Sequence, residues 1–289
     1  MTERTRTERE WEFVTLDGEV VATYDGVEEK LAEAADATAT FLGRVLTVRE
    51  LLDPPETDRR GPGYLLVVLT HGQSQHLTRV LDSFCAHVTP EPTEVLVWVD
   101  GPDREDAAYD AVCGRGWDFT LAGGFDQQGF CAAVGEAWDE AAATDYDYVF
   151  WLENDFVFVR DVDLSNIARV LEAEPQLAQM ALYRQSVNAD ERAAGGYLRQ
   201  HAAAYTERTT YVGSTSYRWM ETTRNWTTNP SLFRRSVAAE NPWPVAEHCE
   251  GVFGFQVRER HPETKFGIWG VGRVDVEHIG ERDGTGTGY

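Results

Sequence analysis

Two carboxylates separated by one residue follow a strongly apolar segment near the middle of the chain. The segment from Tyr148 to Leu152 contains only apolar and aromatic residues, and Glu153, Asn154 and Asp155 come directly after it. On an extended chain, side chains two positions apart leave the same face, so Glu153 and Asp155 are expected to point the same way. Two such carboxylates can share a divalent cation that also binds a diphosphate. The same pattern alone also fits an acidic loop after a strand.

Polar residues also follow two earlier apolar segments. His71 comes after the segment Tyr64 to Thr70, and Asp100 comes after the segment Glu94 to Val99. Apolar residues recur with helical spacing between the strand-like segments. After the first segment they are Leu77, Val80, Leu81 and Phe84, and after the second they are Phe130, Ala133, Val134, Ala137, Trp138 and Ala141. Alternating strands and helices predict a mainly parallel sheet, in which ligands bind beyond the carboxyl ends of the strands. The polar residues are therefore expected at one edge of that sheet.

Four motifs resemble, in their order along the chain, those of glycosyltransferase family 2. They are Thr70-His71, Val99-Asp100-Gly101-Pro102, Gln128-Gly129-Phe130 and Trp151-Leu152-Glu153-Asn154-Asp155. The resemblance implies an α/β fold of the GT-A type, with a Rossmann-like, mainly parallel central sheet flanked by helices, here with an N-terminal extension. It also implies a donor site in which Asp100 contacts the base. That site comprises Thr70, His71, Asp100, Gln128, Gly129, Glu153 and Asn154.

The same resemblance implies a metal site and a catalytic base. A divalent cation, Mn or Mg, would be held by Asp155, Glu153 and His278, although a histidine after a strand can also be an ordinary surface residue. The segment Asn229-Pro230-Ser231-Leu232, followed by Trp243 to Glu250, resembles the acceptor side of the family. Glu250, or alternatively Glu247, would be the base. The family commonly has an acidic pair at this point, whereas this chain has Glu250-Gly251, which leaves the register open.

Aromatic residues and arginines are mixed from Tyr197 to Trp226, which suggests an acceptor-binding surface. Between residues 184 and 235 there are eight arginines and four acidic residues, although the net charge of the whole chain is −23. Trp219, Arg224 and Trp226 are the candidates for acceptor contacts, and the alternative is that such aromatics belong to the core. The acceptor could be a glycan, a protein, a lipid-linked sugar or a modified nucleic-acid base.

The function expected from these features is inverting, metal-assisted transfer of a sugar from a UDP-, GDP- or TDP-linked donor to a hydroxyl group. A nucleotidyltransferase is an alternative, but only Lys30 precedes the expected sheet, and no glycine- and lysine-rich phosphate loop occurs there. A second alternative is a glycoside hydrolase that uses two carboxylates such as Glu153 and Glu250. A non-catalytic carbohydrate- or partner-binding protein on a transferase scaffold is the third.

Composition suggests a cytoplasmic protein without integral membrane association. The first ten residues, MTERTRTERE, do not resemble a cleavable signal, and apolar segments such as Leu65 to Leu69 are too short to span a membrane. The four cysteines contain no CxxC pair, which argues against a zinc ribbon or a disulfide framework. They are Cys85, Cys113, Cys131 and Cys249.

The 289 residues are expected to form four segments. Residues 1–62 would be an N-terminal extension with a hairpin from Trp11 to Tyr24 and a helix from Val27 to Thr40. Residues 63–188 would bind the nucleotide sugar, residues 189–280 would bind the acceptor and carry the base, and residues 281–289 would form a flexible tail.

Overall fold

The computed structural model describes residues 63–280, except 72–73, 102–104, 125–126 and 225, together with four short strands nearer the N-terminus. The chain divides into two compact units, Met1–Arg60 and Gly61–Tyr289. Most of the predicted N-terminal helix and the whole predicted tail, residues 281–289, lie outside the described residues.

The strands described in the first unit form two antiparallel pairs. They are β1 (Glu10–Val14) with β2 (Val20–Asp25), and β3 (Thr38–Phe41) with β4 (Arg44–Thr47). The first pair occupies the segment for which a hairpin is predicted. The predicted helix does not extend to Thr40, because Thr38–Phe41 is a strand that pairs with β4.

The second unit alternates strands and helices along most of its length. Its described strands are β5 (Tyr64–Thr70), β6 (Val88–Thr89), β7 (Glu94–Asp100), β8 (Phe119–Gly124), β9 (Tyr148–Glu153), β10 (Phe156–Phe158), β11 (Val162–Asp163), β12 (Leu177–Ala181), β13 (Thr206–Val212), β14 (Thr215–Thr222), β15 (Ser231–Arg234), β16 (Lys265–Trp269) and β17 (Val276–His278). Its described α-helices are α1 (Ser74–His87), α2 (Glu105–Val112), α3 (Phe130–Ala143), α4 (Leu164–Ala173), α5 (Ala189–Ala194), α6 (Tyr197–Gln200), α7 (Arg235–Glu240) and α8 (Cys249–Arg260), and a 3₁₀ turn covers Ala202–Ala204.

Nine of these strands form one sheet with the order β13-β14-β16-β12-β15-β9-β5-β7-β8. The central strands β9, β5, β7 and β8 are parallel to one another, and β12 is parallel to β16. Only β14 and β15 run against the other strands of this sheet. The mainly parallel α/β sheet predicted from the sequence is therefore confirmed.

Helices cover both faces of the sheet, which explains why its central strands are apolar without interruption. The side chains of β5, β7 and β9 are almost all buried. Helices α1, α2 and α4 pack on one face, where the predicted stripe from Leu77 to Phe84 is buried. Helices α3, α7 and α8 pack on the other face around Trp138, which contacts Trp151, Trp226 and Trp243.

The edges and helix ends follow local sequence signals. The predicted cap Asp163 accepts a hydrogen bond from the Ser165 amide at the start of α4. On the side of the sheet where β13 is the outermost strand, the β13–β14 hairpin carries two cross-strand ion pairs, which are Arg208–Glu221 and Arg218–Glu207. Among the described helices, none combines the length and the apolar character required to cross a membrane.

Candidate active site

The carboxyl ends of β5, β7, β9 and β12 lie at the same edge of the sheet. Strands β5, β7 and β9 are parallel, and β12 has the same direction because β15 runs antiparallel to both β9 and β12. Ser231, the first residue of β15, lies opposite Trp151 of β9. The residues just before Ser231 therefore lie at this edge too. Ligands bind at such an edge in open α/β sheets.

Asp155 and His278 meet at this edge. The chain turns at Asn154 and Asp155, and β10 then pairs with β17 so that Phe156 lies opposite His278. The Nε2 atom of His278 lies 2.8 Å from Oδ2 of Asp155. The other oxygen, Oδ1, is buried and has no hydrogen-bond partner among the residues that the structure describes. A buried carboxylate oxygen without a partner is costly, so this atom suggests that a ligand completes the site.

Gly280 keeps the space beside this pair open. A Cβ atom at this position would lie 2.6 Å from Oδ2 of Asp155 and 2.9 Å from Cε1 of His278. Only a residue without a side chain fits there without displacing the two candidate ligands. Within the described parts of the chain, however, no group of three or more His, Cys, Asp and Glu side chains could by itself hold a metal.

The structure corrects the interpretation of Glu153 and Asp155 as neighbours on an extended chain. Strand β9 ends at Glu153, and the next two residues form a turn. The alternation of side chains that applies within a strand therefore does not carry over to Asp155. Glu153 is half-buried at the end of β9, and it lies on the same face of that strand as Trp151.

Gln185 fixes the backbone of His278, and no local signal in the sequence indicated this role. Its Oε1 accepts a hydrogen bond from the His278 amide at 2.9 Å, and its Nε2 donates to the His278 carbonyl at 3.0 Å. Gln185 follows β12 and therefore reaches His278 from the same sheet edge. The Gln185 side chain thus holds both main-chain polar groups of His278, which fixes the position from which the imidazole extends.

Asp275, the residue before β17, attaches this part of the chain to Tyr183. Its Oδ2 accepts a hydrogen bond from the Tyr183 amide at 3.3 Å, and the Asp275 and Val276 amides both donate to the Tyr183 carbonyl. Burial raises the pKa of Asp275 to about 6, against the opposing effects of that hydrogen bond and of Arg160 and Arg273. The carboxylate thus helps to attach β17 to the end of β12 but is costly to ionise.

Asp100, Gln128 and Gly129 are brought together, but not in the way that the resemblance implies. The Asp100 carboxylate accepts hydrogen bonds from the Gln128 amide at 2.7 Å and from the Gly129 amide at 3.1 Å. With 1% of its surface exposed, Asp100 does not offer this carboxylate to a base. It holds the start of α3 at the sheet edge instead.

Thr70 and Asn154 are bonded to each other in the interior. The side-chain amide of Asn154 donates to Oγ1 of Thr70 at 2.9 Å, and the Asn154 backbone amide donates to the Leu69 carbonyl at 3.0 Å. Both residues are buried. They join the ends of β5 and β9, and the predicted direct donor contact is not supported for either side chain. His71, the next predicted donor residue, is half-buried at the end of β5.

Glu250 lies in the first turn of α8, and its carboxylate is hydrogen-bonded to Thr228 in the segment that precedes β15. Its Oε1 accepts hydrogen bonds from the Thr228 amide at 2.5 Å and from the Thr228 hydroxyl at 2.7 Å. Thr228 lies just before Ser231, so this contact places Glu250 at the same sheet edge as Asp155. Glu247, the other candidate base, is exposed, and its Oε1 lies 3.9 Å from Nε2 of the exposed His248.

A disulfide joins Cys131 to Cys249, with 5.9 Å between the two Cα atoms. This corrects the inference from cysteine spacing that argued against disulfides, because two residues 118 positions apart become neighbours when α3 and α8 pack on the same sheet face. The predicted cytoplasmic location therefore has no support from the cysteines. Cys85 and Cys113 are exposed and form no disulfide.

Two of the three predicted acceptor contacts are core residues. Trp219 is 1% exposed and donates its indole N–H to Oγ1 of Thr210, and Trp226 is 3% exposed within the aromatic cluster around Trp138. Both indole rings pack against other core residues, so neither ring is available to stack on an acceptor. The guanidinium of Arg224, by contrast, belongs to an exposed residue.

Part of the arginine excess is neutralised within the second unit. Arg184 donates two hydrogen bonds to the buried Glu191 and lies 4.9 Å above the ring of Tyr197. Burial raises the pKa of Tyr205, and Arg184 and Arg224 oppose that shift because both guanidinium groups lie near it.

Comparisons with known proteins identify the fold. No family model matches the chain, and a search of curated proteins finds no significant match. Among solved structures, the mannosyltransferase PcManGT from Pyrobaculum calidifontis, in complex with GDP-Man and Mn²⁺, is similar with a TM-score of 0.53 and 14% identity. That match covers 77% of this chain and 58% of PcManGT.

S. aureus TarS 1–349 in complex with UDP is similar with a TM-score of 0.51 and 12% identity, covering 74% of this chain and 60% of TarS 1–349. A second structure of S. aureus TarS 1–349 gives a TM-score of 0.50. The fold is therefore that of GT-A-type glycosyltransferases, as expected from the motifs. This chain spans only about three fifths of the length of these proteins, 58 to 60%.

Proposed function

We propose that this chain transfers a sugar from a nucleoside diphosphate donor to an acceptor hydroxyl group, with a divalent cation at the donor site and with inversion at the anomeric carbon. The observation that carries the proposal is the placement of two separate carboxylates at one sheet edge. Asp155 pairs with His278 and has a buried oxygen without a described partner, whereas Glu250 is held by Thr228.

The residues on the Asp155 side fit a divalent cation. Carboxylate suits Mg²⁺ or Mn²⁺ and the imidazole favours Mn²⁺ of the two, and such cations are often bound by one or two carboxylates together with substrate phosphates. Asp155 and His278 would hold the ion, and Glu153, which does not join them in a group of three ligands among the described residues, is not assigned to it. When bound, the cation would supply a Lewis acid that stabilises negative charge on the departing nucleoside diphosphate. The similar mannosyltransferase was solved with GDP-Man and Mn²⁺, which supports this choice.

Glu250 would act as the general base. Its Oε1 is engaged by Thr228, and within the described residues Oε2 accepts no hydrogen bond. Oε2 would take the proton of the acceptor hydroxyl as that oxygen attacks the anomeric carbon, on the face opposite the leaving nucleotide. A single displacement of this kind inverts the configuration at the anomeric carbon. Arg224 is exposed and is the candidate for contact with the acceptor.

The decisive experiment is calorimetric titration of the protein with UDP, GDP and TDP, each with and without Mn²⁺. We expect metal-dependent binding of one nucleotide, which Asp155→Ala abolishes. The matched control is Asp161→Ala, because Asp161 is an exposed carboxylate that pairs with His87 and lies outside the site. Absence of binding by the folded wild-type protein would contradict the proposal, as would equal binding by both variants.

A further inference from the structure

The first turn of α8, which carries Glu250, follows a segment whose residues are exposed to solvent. Residues 245–248 are all exposed, and 77% of the surface of Val245 is accessible. His248, the residue before the helix, has φ of 59°, in the left-handed region that non-glycine residues rarely adopt. This conformation persists only where surrounding contacts impose it, so the start of α8 must be fixed by contacts from elsewhere.

Two such contacts flank Glu250. Cys249, the first residue of α8, is bonded to Cys131, the second residue of α3. The start of α3 is in turn fixed to the sheet, because the Gln128 and Gly129 amides donate to Asp100. Two hydrogen bonds and one disulfide therefore connect the carboxyl end of β7 to Cys249, the residue next to Glu250.

The second contact acts on the carboxylate itself. The Thr228 amide and hydroxyl both donate to Oε1 of Glu250. Two donors on one oxygen fix the rotation of the carboxylate and leave Oε2 as the atom that can accept a further proton. Thr228 is itself 5% exposed, and its neighbour Thr227 is held by the side chain of Gln179. The donor group is therefore part of a rigid segment.

We propose that Thr228 and the Cys131–Cys249 disulfide are positioning elements for the Glu250 carboxylate, the first by orienting its oxygens and the second by fixing the first turn of α8. This inference rests on the proposed function, in which Glu250 is the base. Neither element touches the reacting atoms. Loss of either should therefore lower kcat while leaving binding of the nucleotide donor on the Asp155 side unchanged.

The hydroxyl is tested by comparing Thr228→Val with Thr228→Ser. Valine preserves the shape of the side chain but removes one donor to a carboxylate, and we expect kcat to fall about 10- to 100-fold with little change in donor KM. Serine retains the hydroxyl and should remain within about threefold of wild type by the same argument. The matched control is Thr227→Val, because the Thr227 hydroxyl accepts a hydrogen bond from the Asn229 amide and does not contact Glu250.

The disulfide is tested with the double variant Cys131→Ala/Cys249→Ala, and Cys85→Ser/Cys113→Ser serves as control because those cysteines are exposed and unbridged. We expect the double alanine variant to lose about tenfold in kcat, an effect similar to that of one hydrogen bond, with donor affinity unchanged. Hydrogen exchange should become faster at the amides of residues 245–252 and remain unchanged in β9 and β10. This second measurement does not depend on activity.

The outcomes separate the two proposals. A wild-type protein that transfers sugar while Thr228→Val and the double alanine variant keep its kcat would overturn the positioning roles but leave the proposed function intact. Equal loss of kcat in Thr228→Val and Thr228→Ser would show that the hydroxyl is not the cause, and it would also overturn the role of Thr228. A folded wild-type protein that transfers no sugar from any of the three donor classes would overturn both proposals.

Discussion

The two sides of the candidate site are held together by different kinds of contact. On the Asp155 side, β10 pairs with β17 and the Ile279 amide donates to the Asp155 carbonyl at 2.7 Å, so much of the positioning depends on the main chain. On the Glu250 side, one threonine and one disulfide provide the described attachments. Main-chain hydrogen bonds, including the one from the Thr228 amide, persist when a side chain is changed, whereas the contact of the Thr228 hydroxyl and the disulfide do not. The Glu250 side should therefore be the more sensitive to single substitutions.

The largest effect is expected from Glu250→Gln. General-base catalysis contributes roughly 10²- to 10⁴-fold to rate, so kcat should fall by about 10³-fold while metal-dependent nucleotide binding is retained. Steady-state transfer assays and calorimetry on the same preparation measure the two quantities. Glu247→Gln is the control, because Glu247 is exposed and outside the contact with Thr228. A larger loss in Glu247→Gln than in Glu250→Gln would reverse the assignment of the base.

Removal of the disulfide should also lower stability, independently of catalysis. The bridge closes a loop with a sequence separation of 118 residues, and its loss in Cys131→Ala/Cys249→Ala should reduce the free energy of unfolding by about 3 to 4 kcal/mol. Urea denaturation followed by tryptophan fluorescence measures the change. The control Cys85→Ser/Cys113→Ser should remain within about 0.5 kcal/mol of wild type. Equal stability of the two double variants would contradict a structural role for the bridge.

On the Asp155 side, Asp275→Asn should stabilise the protein at neutral pH. Burial raises the folded-state pKa of Asp275 from 3.8 to about 6, so its ionisation destabilises the folded state as pH rises through that interval. The variant removes this cost, and its advantage should grow from pH 4 to pH 6 and reach about 3 kcal/mol above that range.

The comparison is made by denaturant unfolding of both proteins at several pH values. An amide oxygen can still accept the hydrogen bond from the Tyr183 amide, so this contact is retained in the variant. A constant difference between the two proteins from pH 4 to pH 7 would show that Asp275 titrates normally.

The smallest effect is expected from Gly280→Ala, which tests whether the Asp155 side requires a residue without a side chain at this position. The added Cβ would require Asp155 and His278 to shift, at a cost of about 1 to 2 kcal/mol. Metal-dependent nucleotide binding should weaken about 10-fold as a result. Gly251→Ala is the matched control, since a Cβ at Gly251 meets nothing within 4 Å. Equal nucleotide affinity in both variants would show that the space beside Asp155 is not used.

The sequence predicted the parts of the fold that depend on local pattern. Strands β5, β7 and β9 are recognisable because burial on both faces requires uninterrupted apolar residues, and their polar ends predicted the sheet edge at which Asp155 and His278 meet. By contrast, the turn after Glu153 was missed because a two-residue change of direction leaves little trace in composition. Trp219 and Trp226 were misassigned because a tryptophan near arginines has the same local pattern whether its ring is buried or exposed.

The contacts that hold Glu250 could not be inferred from local pattern at all. Thr228 lies 22 residues from Glu250 in sequence, and the two bridged cysteines are 118 residues apart. Their proximity depends on how α3, α8 and β15 pack on one sheet, which is a property of the tertiary fold. Gln185 and Gly280 were missed for the same reason, since their partner His278 is reached only after β17 has paired with β10.

The charged β13–β14 hairpin has a consequence for association between molecules. Strand β13 ends the nine-stranded sheet and exposes most of its residues, so its outer main-chain groups could pair with a strand of another molecule. The ion pairs Arg208–Glu221 and Arg218–Glu207 place charges along this edge. A strand joining the sheet there would have to desolvate them, which disfavours edge-to-edge aggregation and helps to keep the protein dispersed at high concentration.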